Sequence, residues 1–293
     1  MSELFLATSL RDRLSSRARR LCALLSGIWS EAATAGERHH LRALSAELGV
    51  LDEWLSPSGG LLDAWRTREG SELADDDAVA KPYELSPAIW AAATAAVSHL
   101  DCLRDSVLRL TADDPQETPA HVHGHLALAR GAIENASMAV WLLEPEDSAQ
   151  RILRRLQTDW REHQRATRGF PPTGTIDDHF VDLAAAASGV GIDPERIKQC
   201  PSYAEIVRSA GKYQLGGSDF TMFTWKACGA VAHGELRGSS AYLPRDVLRT
   251  AVADRSPRRS TGSVRLLADG GLLAAGIARV AFDLYARRAG PSW

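Results

Sequence analysis

The sequence lacks the features that mark β-rich folds, disulfide scaffolds and membrane proteins. No strictly alternating apolar–polar run exceeds a few residues, and no Asn-Gly pair is present, so hairpin-rich folds are not expected. The four cysteines are scattered without a Cys-x-x-Cys pair, which disfavours zinc ribbons and redox motifs and favours a reducing, cytoplasmic location. The most apolar late stretch, 271–284, contains Arg279 and Asp283 and is shorter than the roughly 20 residues of a membrane-spanning helix.

Charge is nearly balanced. A net charge of -3 over 293 residues argues against a protein that wraps long duplex DNA, which usually needs a strongly basic face. It leaves room for a small, local phosphate site. With 45% hydrophobic and 24% charged residues the chain has the composition of a folded globular protein. Acidic and basic residues near the N-terminus interrupt any signal-peptide apolar region.

What the sequence does contain is helical periodicity from end to end. Apolar residues recur three and four positions apart in stripes over 10–28, 41–55 and 89–110. We therefore predict an all-α, up-and-down helical bundle with three parts: an N-terminal helical hairpin over 1–66, an acidic loop over 67–84 and the main bundle over 85–293. Further helices are predicted at about 120–143, 147–164, 218–234 and 264–288, the last one loosened at Gly270-Gly271. Connecting loops are predicted at 169–178 and 254–263.

One ion pair is predicted inside an apolar stripe. On the helix from about residue 120, Arg130 falls within the arc of apolar side chains, and Glu134 lies one turn later at its edge. The order Arg before Glu is the weaker one for an exposed pair at this spacing, which favours an inward position. A buried arginine needs such a partner. The pair is therefore either a structural brace or part of a cleft.

A second polar site closes a later helix. Lys226 and His233 are two turns apart on one face, and Gly229 and Ala230 lie between them. Two small residues form a shallow floor that a ligand or another backbone could approach. The alternative is that the small residues serve helix packing and that His233 is favoured by the helix dipole.

Three other patterns are weaker. On a helix, His121 and His125 of the His-x-His-x-His run share a face, but a metal site would need two or more further ligands, so no metal or cofactor is predicted and the role of His123 stays open. Gly216-Gly217-Ser218 is interpreted as a plain helix start, since it lacks the lysine and spacing of a phosphate loop. A basic ridge on one helix is interpreted as solvated, or as facing RNA or an acidic partner: Arg151, Arg154 and Arg155.

An Arg-x-x-x-Glu inside one helix, followed by a helix that ends in His-Gly, resembles the HEPN group of helical bundles, especially its uncharacterised bacterial branches. The resemblance covers about residues 85–288 and depends on few positions: Arg130, Glu134, His233 and the Trp225-Lys226 pair. It implies a four-helix core, metal-independent RNA cleavage and a homodimer that joins two motifs at a cleft. The chain departs from the family motif because Lys226, separated from His233 by six residues, stands where an arginine is expected.

Two functional hypotheses follow. In the first, the protein acts on RNA or a nucleotide, with His233 as general base, Arg130 or Lys226 stabilising phosphate charge, and Glu134 holding Arg130. In the second, it is a non-catalytic interaction or regulatory bundle whose Arg130–Glu134 pair is structural. The first predicts that Arg130, Glu134 and His233 converge on one accessible cleft.

Overall fold

The computed structural model describes residues 33–55, 66–112, 122–169, 176–235 and 261–290, and within these ranges all regular structure is helical, without a strand. This confirms the all-α helical bundle. The α-helices, in chain order, are α1 (Ala33–Leu48), α2 (Leu51–Trp54), α3 (Glu72–Val79), α4 (Leu85–Ala112), α5 (Val122–Leu143), α6 (Ser148–Gly169), α7 (Ile176–Gly189), α8 (Tyr203–Ala210), α9 (Gly217–Ala232) and α10 (Thr261–Ala289). Short 3-10 turns cover Pro194–Lys198 and Gly211–Tyr213.

Helix α5 lies at the centre of the bundle. It packs most extensively on α4 and α10, and α8 and α9 cover further parts of its surface. Its apolar stripe, predicted from periodicity, is buried: Leu126, Ile133, Val140 and Trp141, together with Ser137. Because α5 touches helices on several sides, the polar residues in its stripe lie between elements, where they can join helices or border a cleft.

The first described helix belongs to the same core. Its leucine stripe is buried at Leu41, Leu44 and Leu48, and α1 packs against both α4 and α10. The first helix of the predicted N-terminal hairpin, with its stripe over 10–28, lies outside the described residues. The packing of α1 therefore provides one of the walls against which α10 is set.

The acidic segment 67–84 was predicted as a loop, and over Glu72–Val79 that prediction was wrong. Ser71 accepts a hydrogen bond from the backbone N–H of Ala74 and so caps α3. The acidic residues are not simply solvated, since Asp76 is only 1% exposed and faces a buried arginine. Asp77 accepts the backbone N–H groups of Leu85 and Ser86 at the start of α4.

The buried carboxylate of α3 belongs to a group of residues that we call the corner clamp: Glu72, Asp76, Arg151 and Arg288 with the backbone carbonyls of 143–146. Arg151 Nε donates to Asp76 at 2.5 Å, and Arg151 Nη1 donates to the carbonyls of Pro145 and Glu146. Arg288 donates to the carbonyl of Leu143 and to Glu72. The clamp satisfies carbonyls at the end of α5, which would otherwise lack partners, and ties α3, α6 and α10 together.

The glycine pair in the last helix does not interrupt it, so the predicted loosening at Gly270-Gly271 was wrong. A Cβ on Gly270 would lie 3.0 Å from Cys228 Sγ and 3.2 Å from Ala129 Cβ, and one on Gly271 would lie 2.6 Å from Leu44 Cδ1. The glycines let α10 approach α5, α9 and α1 closely. Across the described ranges, no helix is both long and apolar enough to cross a membrane.

Candidate functional site

Three polar residues of α5 contact α9, and the two helices run antiparallel there. His123 reaches Val231, Arg130 lies against Gly229, and Glu134 bonds Trp225. These contacts ascend along α5 and descend along α9, which fixes the direction of the two helices. We call this contact the α5–α9 seam.

The Arg130–Glu134 ion pair forms as predicted. Arg130 Nε donates to Glu134 Oε1 at 2.8 Å, and the two side chains are 27% and 26% exposed. The pair is thus partly buried rather than sealed in a dry core. The inward position predicted from the apolar stripe is confirmed, and solvent still reaches both groups.

Trp225 contacts both members of the ion pair, a role that was not predicted from the sequence. Its indole Nε1–H donates to Glu134 Oε1 at 2.9 Å, and its ring lies 5.0 Å from the Arg130 guanidinium carbon. One carboxylate oxygen of Glu134 therefore accepts hydrogen bonds from both the guanidinium and the indole. The cation–π contact adds attraction between the guanidinium and the ring.

The small-residue floor is not open at Gly229. A Cβ on this residue would overlap Arg130 Nη1, so the guanidinium occupies the space that a side chain would fill. Of the two alternatives for these small residues, close packing holds at Gly229, because a side chain of α5 fills the space. The spacing of Trp225 and Gly229, one turn apart on α9, is the signal that could have indicated an incoming side chain.

The Arg130 guanidinium has N–H donors that form no hydrogen bond with the described residues. Only Nε is hydrogen-bonded, and neither Nη1 nor Nη2 of Arg130 has a hydrogen-bond partner in the described part of the chain. The group also lies against the last turn of α9, whose carbonyls carry partial negative charge that stabilises a cation. Arg130 is therefore held through Nε and its contacts with α9, while the N–H groups of its two terminal nitrogens are not used in hydrogen bonds.

His233 and Lys226 lie on α9, the helix that contacts Arg130. His233 caps α9, with its backbone N–H bonded to Gly229 O at 2.9 Å, and Gly234 at φ 65° ends the helix. At about 100° per residue, Lys226, Gly229 and His233 fall within a sector of about 60°. Both polar side chains are exposed and have no side-chain hydrogen bond within the described ranges.

The histidine run splits into separate environments. The His123 ring nitrogen Nδ1 lies 2.6 Å from the carbonyl oxygen of Val231, so Nδ1 carries a proton and donates it to this oxygen. His125 is buried, and His121 lies outside the described residues. Within the described ranges no three His, Cys, Asp or Glu side chains are grouped to hold a metal ion.

A cluster of ionisable residues that was not predicted from the sequence joins α1 to the first turns of α10, behind the seam: His40, Arg265 and Asp269. Burial raises the pKa of the Asp269 carboxyl, while Arg265 and His40 oppose the rise. Burial likewise lowers the pKa of His40. Burial raises the pKa of the Cys228 thiol to about 12, against the opposing charge of Arg130, so this thiol stays protonated.

The other sequence candidates have structural partners. The basic ridge is neither solvated nor free, because Arg151, Arg154 and Arg155 pair with Asp76, Glu144 and Asp159, respectively. The predicted helix start at 216–218 is confirmed, since α9 begins at Gly217, and the Ser218 hydroxyl donates to the carbonyl of Arg208.

Fold and site together define an all-α bundle with a partly exposed, arginine-centred seam between two antiparallel helices. Comparison of the chain with protein-family profiles, with curated proteins and with solved structures finds no match.

Proposed function

We propose that the protein recognises a phosphate-bearing ligand, RNA or a nucleotide, at the open edge of the α5–α9 seam. The observation that carries this proposal is the state of Arg130, whose Nη1 and Nη2 donors lack partners among the described residues while its side chain is 27% exposed. A guanidinium offers a planar pair of donors that matches two phosphate oxygens.

The surroundings of Arg130 favour binding over idle exposure. Glu134, Trp225 and Gly229 fix the guanidinium from three directions, so little side-chain freedom is lost when a ligand arrives. Exposed Lys226 and His233 add a positive charge and a titratable ring to the same sector of α9. A phosphate at this edge would meet donors that are already oriented.

In the catalytic form of the proposal, the ligand is RNA and no metal is required. Neutral His233 takes the proton of a 2′-hydroxyl, and the 2′-oxygen attacks the adjacent phosphorus while the bond from phosphorus to the 5′-oxygen breaks. The products are a 2′,3′-cyclic phosphate and a 5′-hydroxyl, whose proton comes from the protonated histidine or from water. Arg130 and Lys226 stabilise the charge that grows on the phosphoryl oxygens. Glu134 positions Arg130. The resemblance to HEPN proteins supports this reaction and a homodimer, whose mass sedimentation equilibrium would measure.

The test is incubation of the full chain with RNA in EDTA, followed on denaturing gels. We expect cleavage by the wild type and a loss of about 100-fold or more in His233→Ala, the usual effect of removing a general base. The exposed histidine variant His39→Ala is the matched control and should cleave like the wild type. Equal cleavage by wild type and His233→Ala would rule out His233 as the base. Failure of the wild type to bind RNA or nucleotides would rule out the whole proposal.

A second function is a non-catalytic interaction or regulatory bundle. It is favoured by the two hydrogen bonds that Glu134 accepts, from Arg130 and Trp225, which join α5 to α9. The negative end of the α9 dipole also weakens attraction of a phosphate to this point. In that case Arg130→Met should lower stability, and neither wild type nor variant should bind RNA or a nucleotide in fluorescence anisotropy.

A further inference from the structure

One arginine of α6 breaks the rule that the others follow. Arg161 is partly buried, yet it forms no ion pair within the described ranges. Among the described residues, every other arginine whose side chain is buried or partly buried has a carboxylate partner. These are Arg104, Arg130, Arg151, Arg154, Arg155, Arg265 and Arg288. Removing a guanidinium from water without an opposite charge is costly. The exception therefore suggests that a negative partner comes from outside the chain.

A second arginine joins it at the same place. Arg161 and Arg165, one turn apart on α6, lie with their guanidinium carbons 4.7 and 5.1 Å from the ring centroid of Tyr203. Arg165 is exposed and also forms no ion pair with a described residue. Two like charges thus converge on one aromatic ring. Their repulsion is offset in part by cation–π attraction to that ring.

Arg161 is held in place by weak or neutral contacts. Nη1 donates to the carbonyl of Pro201 at 3.1 Å, and Nη2 lies 3.9 Å from Met138 Sδ. The Nε atom is buried and has no hydrogen-bond partner among the described residues. None of these contacts neutralises the charge. An anion that accepts from the unused N–H groups of Nη1 and Nη2 would do so.

The nearby carboxylates do not fill this role. Glu162 is exposed and pairs with neither arginine. Glu205 is turned back onto Ser202, whose backbone N–H and hydroxyl it accepts at 2.7 Å to cap α8. The neighbouring Cys200 thiol experiences the same imbalance: burial raises its pKa, and the two arginines are the next strongest influences, acting in the opposite direction.

We infer that Arg161, Arg165 and Tyr203 form a binding site for a phosphomonoester dianion. Two unpaired guanidiniums match the charge of nearly two that a phosphomonoester carries near neutral pH, whereas a carboxylate would leave one charge unpaired. Both guanidiniums lie against the Tyr203 ring, so the ring is not available to stack on a nucleobase. The site should therefore recognise the phosphate group alone.

This site is separate from the α5–α9 seam. Met138, which contacts Arg161, lies eight residues after Arg130 on α5, about 12 Å along the helix. The inference depends only on the α6–α8 contact, so it stands or falls independently of the role of Arg130.

The experiment is isothermal titration of the full chain with inorganic phosphate, with AMP and with adenosine. We expect phosphate and AMP to bind and adenosine not to bind. Arg165→Gln should weaken phosphate binding about tenfold or more, the effect of losing one charge-assisted contact. Because Arg165 is exposed and makes no hydrogen bond to a described residue, this variant should keep the fold, as circular dichroism would verify.

Three further variants make the result specific. Arg161→Gln should also lose phosphate binding, whereas Arg42→Gln, which removes an exposed and unpaired arginine from α1, should bind like the wild type. Arg130→Met should retain binding at the α6–α8 site. The inference is overturned if Arg165→Gln and Arg161→Gln bind as tightly as the wild type, if only Arg130→Met loses binding, or if the wild type binds no phosphate.

Discussion

The corner clamp and the α5–α9 seam use the same chemistry for different ends. Each pairs an arginine with a carboxylate and fastens helices together. In the clamp, Arg151 is 2% exposed and Arg288 fully buried, and their guanidiniums are occupied by carboxylates and backbone carbonyls. In the seam, Arg130 is 27% exposed and uses only Nε for a hydrogen bond.

The difference separates an arginine that only holds the fold from one that can also meet a ligand. A buried ion pair contributes little compared with an apolar replacement, but removing one member leaves a costly uncompensated charge. The seam pays less for desolvation because water reaches both groups. Its unpaired donors also remain available to a phosphate. Substitutions in the clamp should therefore mainly lower the free energy of unfolding, whereas substitutions in the seam should mainly weaken ligand binding.

The largest expected effect lies in the clamp. Asp76→Ala would leave Arg151 buried without its closest carboxylate, and we expect the free energy of unfolding to fall by about 3–5 kcal/mol. Urea denaturation measures the change. Asp75→Ala, which removes an exposed neighbour on α3, should stay within about 0.5 kcal/mol of the wild type. A small loss in Asp76→Ala would show that the clamp does not hold the corner.

The next effect concerns the space beneath Arg130. Alanine normally stabilises a helix over glycine by up to about 1 kcal/mol. In Gly229→Ala the new methyl would overlap Arg130 Nη1, so we expect a loss of about 1–3 kcal/mol, as for an overpacked site.

The added mutation Arg130→Ala should recover part of that loss, which a double-mutant cycle in urea would measure. Gly189→Ala, where no atom lies within 4 Å of the added Cβ, is the control and should not destabilise. Additive effects of the Gly229 and Arg130 changes would mean that the two residues do not share this space.

A smaller effect is expected at Trp225. Trp225→Phe keeps a ring beneath the guanidinium but removes the N–H bonded to Glu134, so we expect a loss of about 0.5–1.5 kcal/mol. If the seam binds phosphate through Arg130, RNA or nucleotide affinity should fall less in this variant than in Arg130→Met. A greater fall in Trp225→Phe, measured by fluorescence anisotropy, would move the main ligand contact from Arg130 to the indole.

The smallest effect is a pH dependence behind the seam. Because burial raises the pKa of Asp269, the folded state holds this proton more tightly than the unfolded chain. Its contribution to stability is full below the unfolded pKa and is lost as pH rises through the folded pKa. Asp269→Asn should therefore become steadily more favourable relative to the wild type as pH rises above about 4, the ordinary pKa of an aspartate. Urea titrations of both proteins test this trend, with the exposed Glu53→Gln as control; a flat or opposite trend would contradict it.

Periodicity was enough to predict the long helices and the inward ion pair, because both depend on local spacing, but it missed the shorter helices α3 and α7. Arg130 and Glu134 lie one turn apart on the same helix, α5. The role of Trp225 was not predictable in this way, since it depends on how α9 is placed against α5. The approach of the His233 side chain to Arg130 and Glu134 remains a prediction. The fold establishes only that the His233 backbone lies one turn beyond Gly229.

The errors share one physical cause. An acidic run was interpreted as a loop and a basic ridge as solvated, but Asp76 of the first and Arg151 of the second are each other's buried partners, 75 residues apart in the chain. Charge patterns alone carry no information on such distant pairing. Glycines were likewise interpreted as breaks in α10, although they mark close approaches of neighbouring helices.

These glycines make α10 dependent on its neighbours. Two adjacent glycines each cost an isolated helix about 1 kcal/mol relative to alanine, and most helical stability in proteins comes from packing. A synthetic peptide of residues 261–289 should therefore be less helical than its counterpart with alanine at both positions, although the same change in the whole protein would drive side chains into Cys228 and Leu44. Since α10 carries Arg288 at one end and Asp269 near the other, the corner clamp and the charged group behind the seam would form only once the bundle has assembled around it.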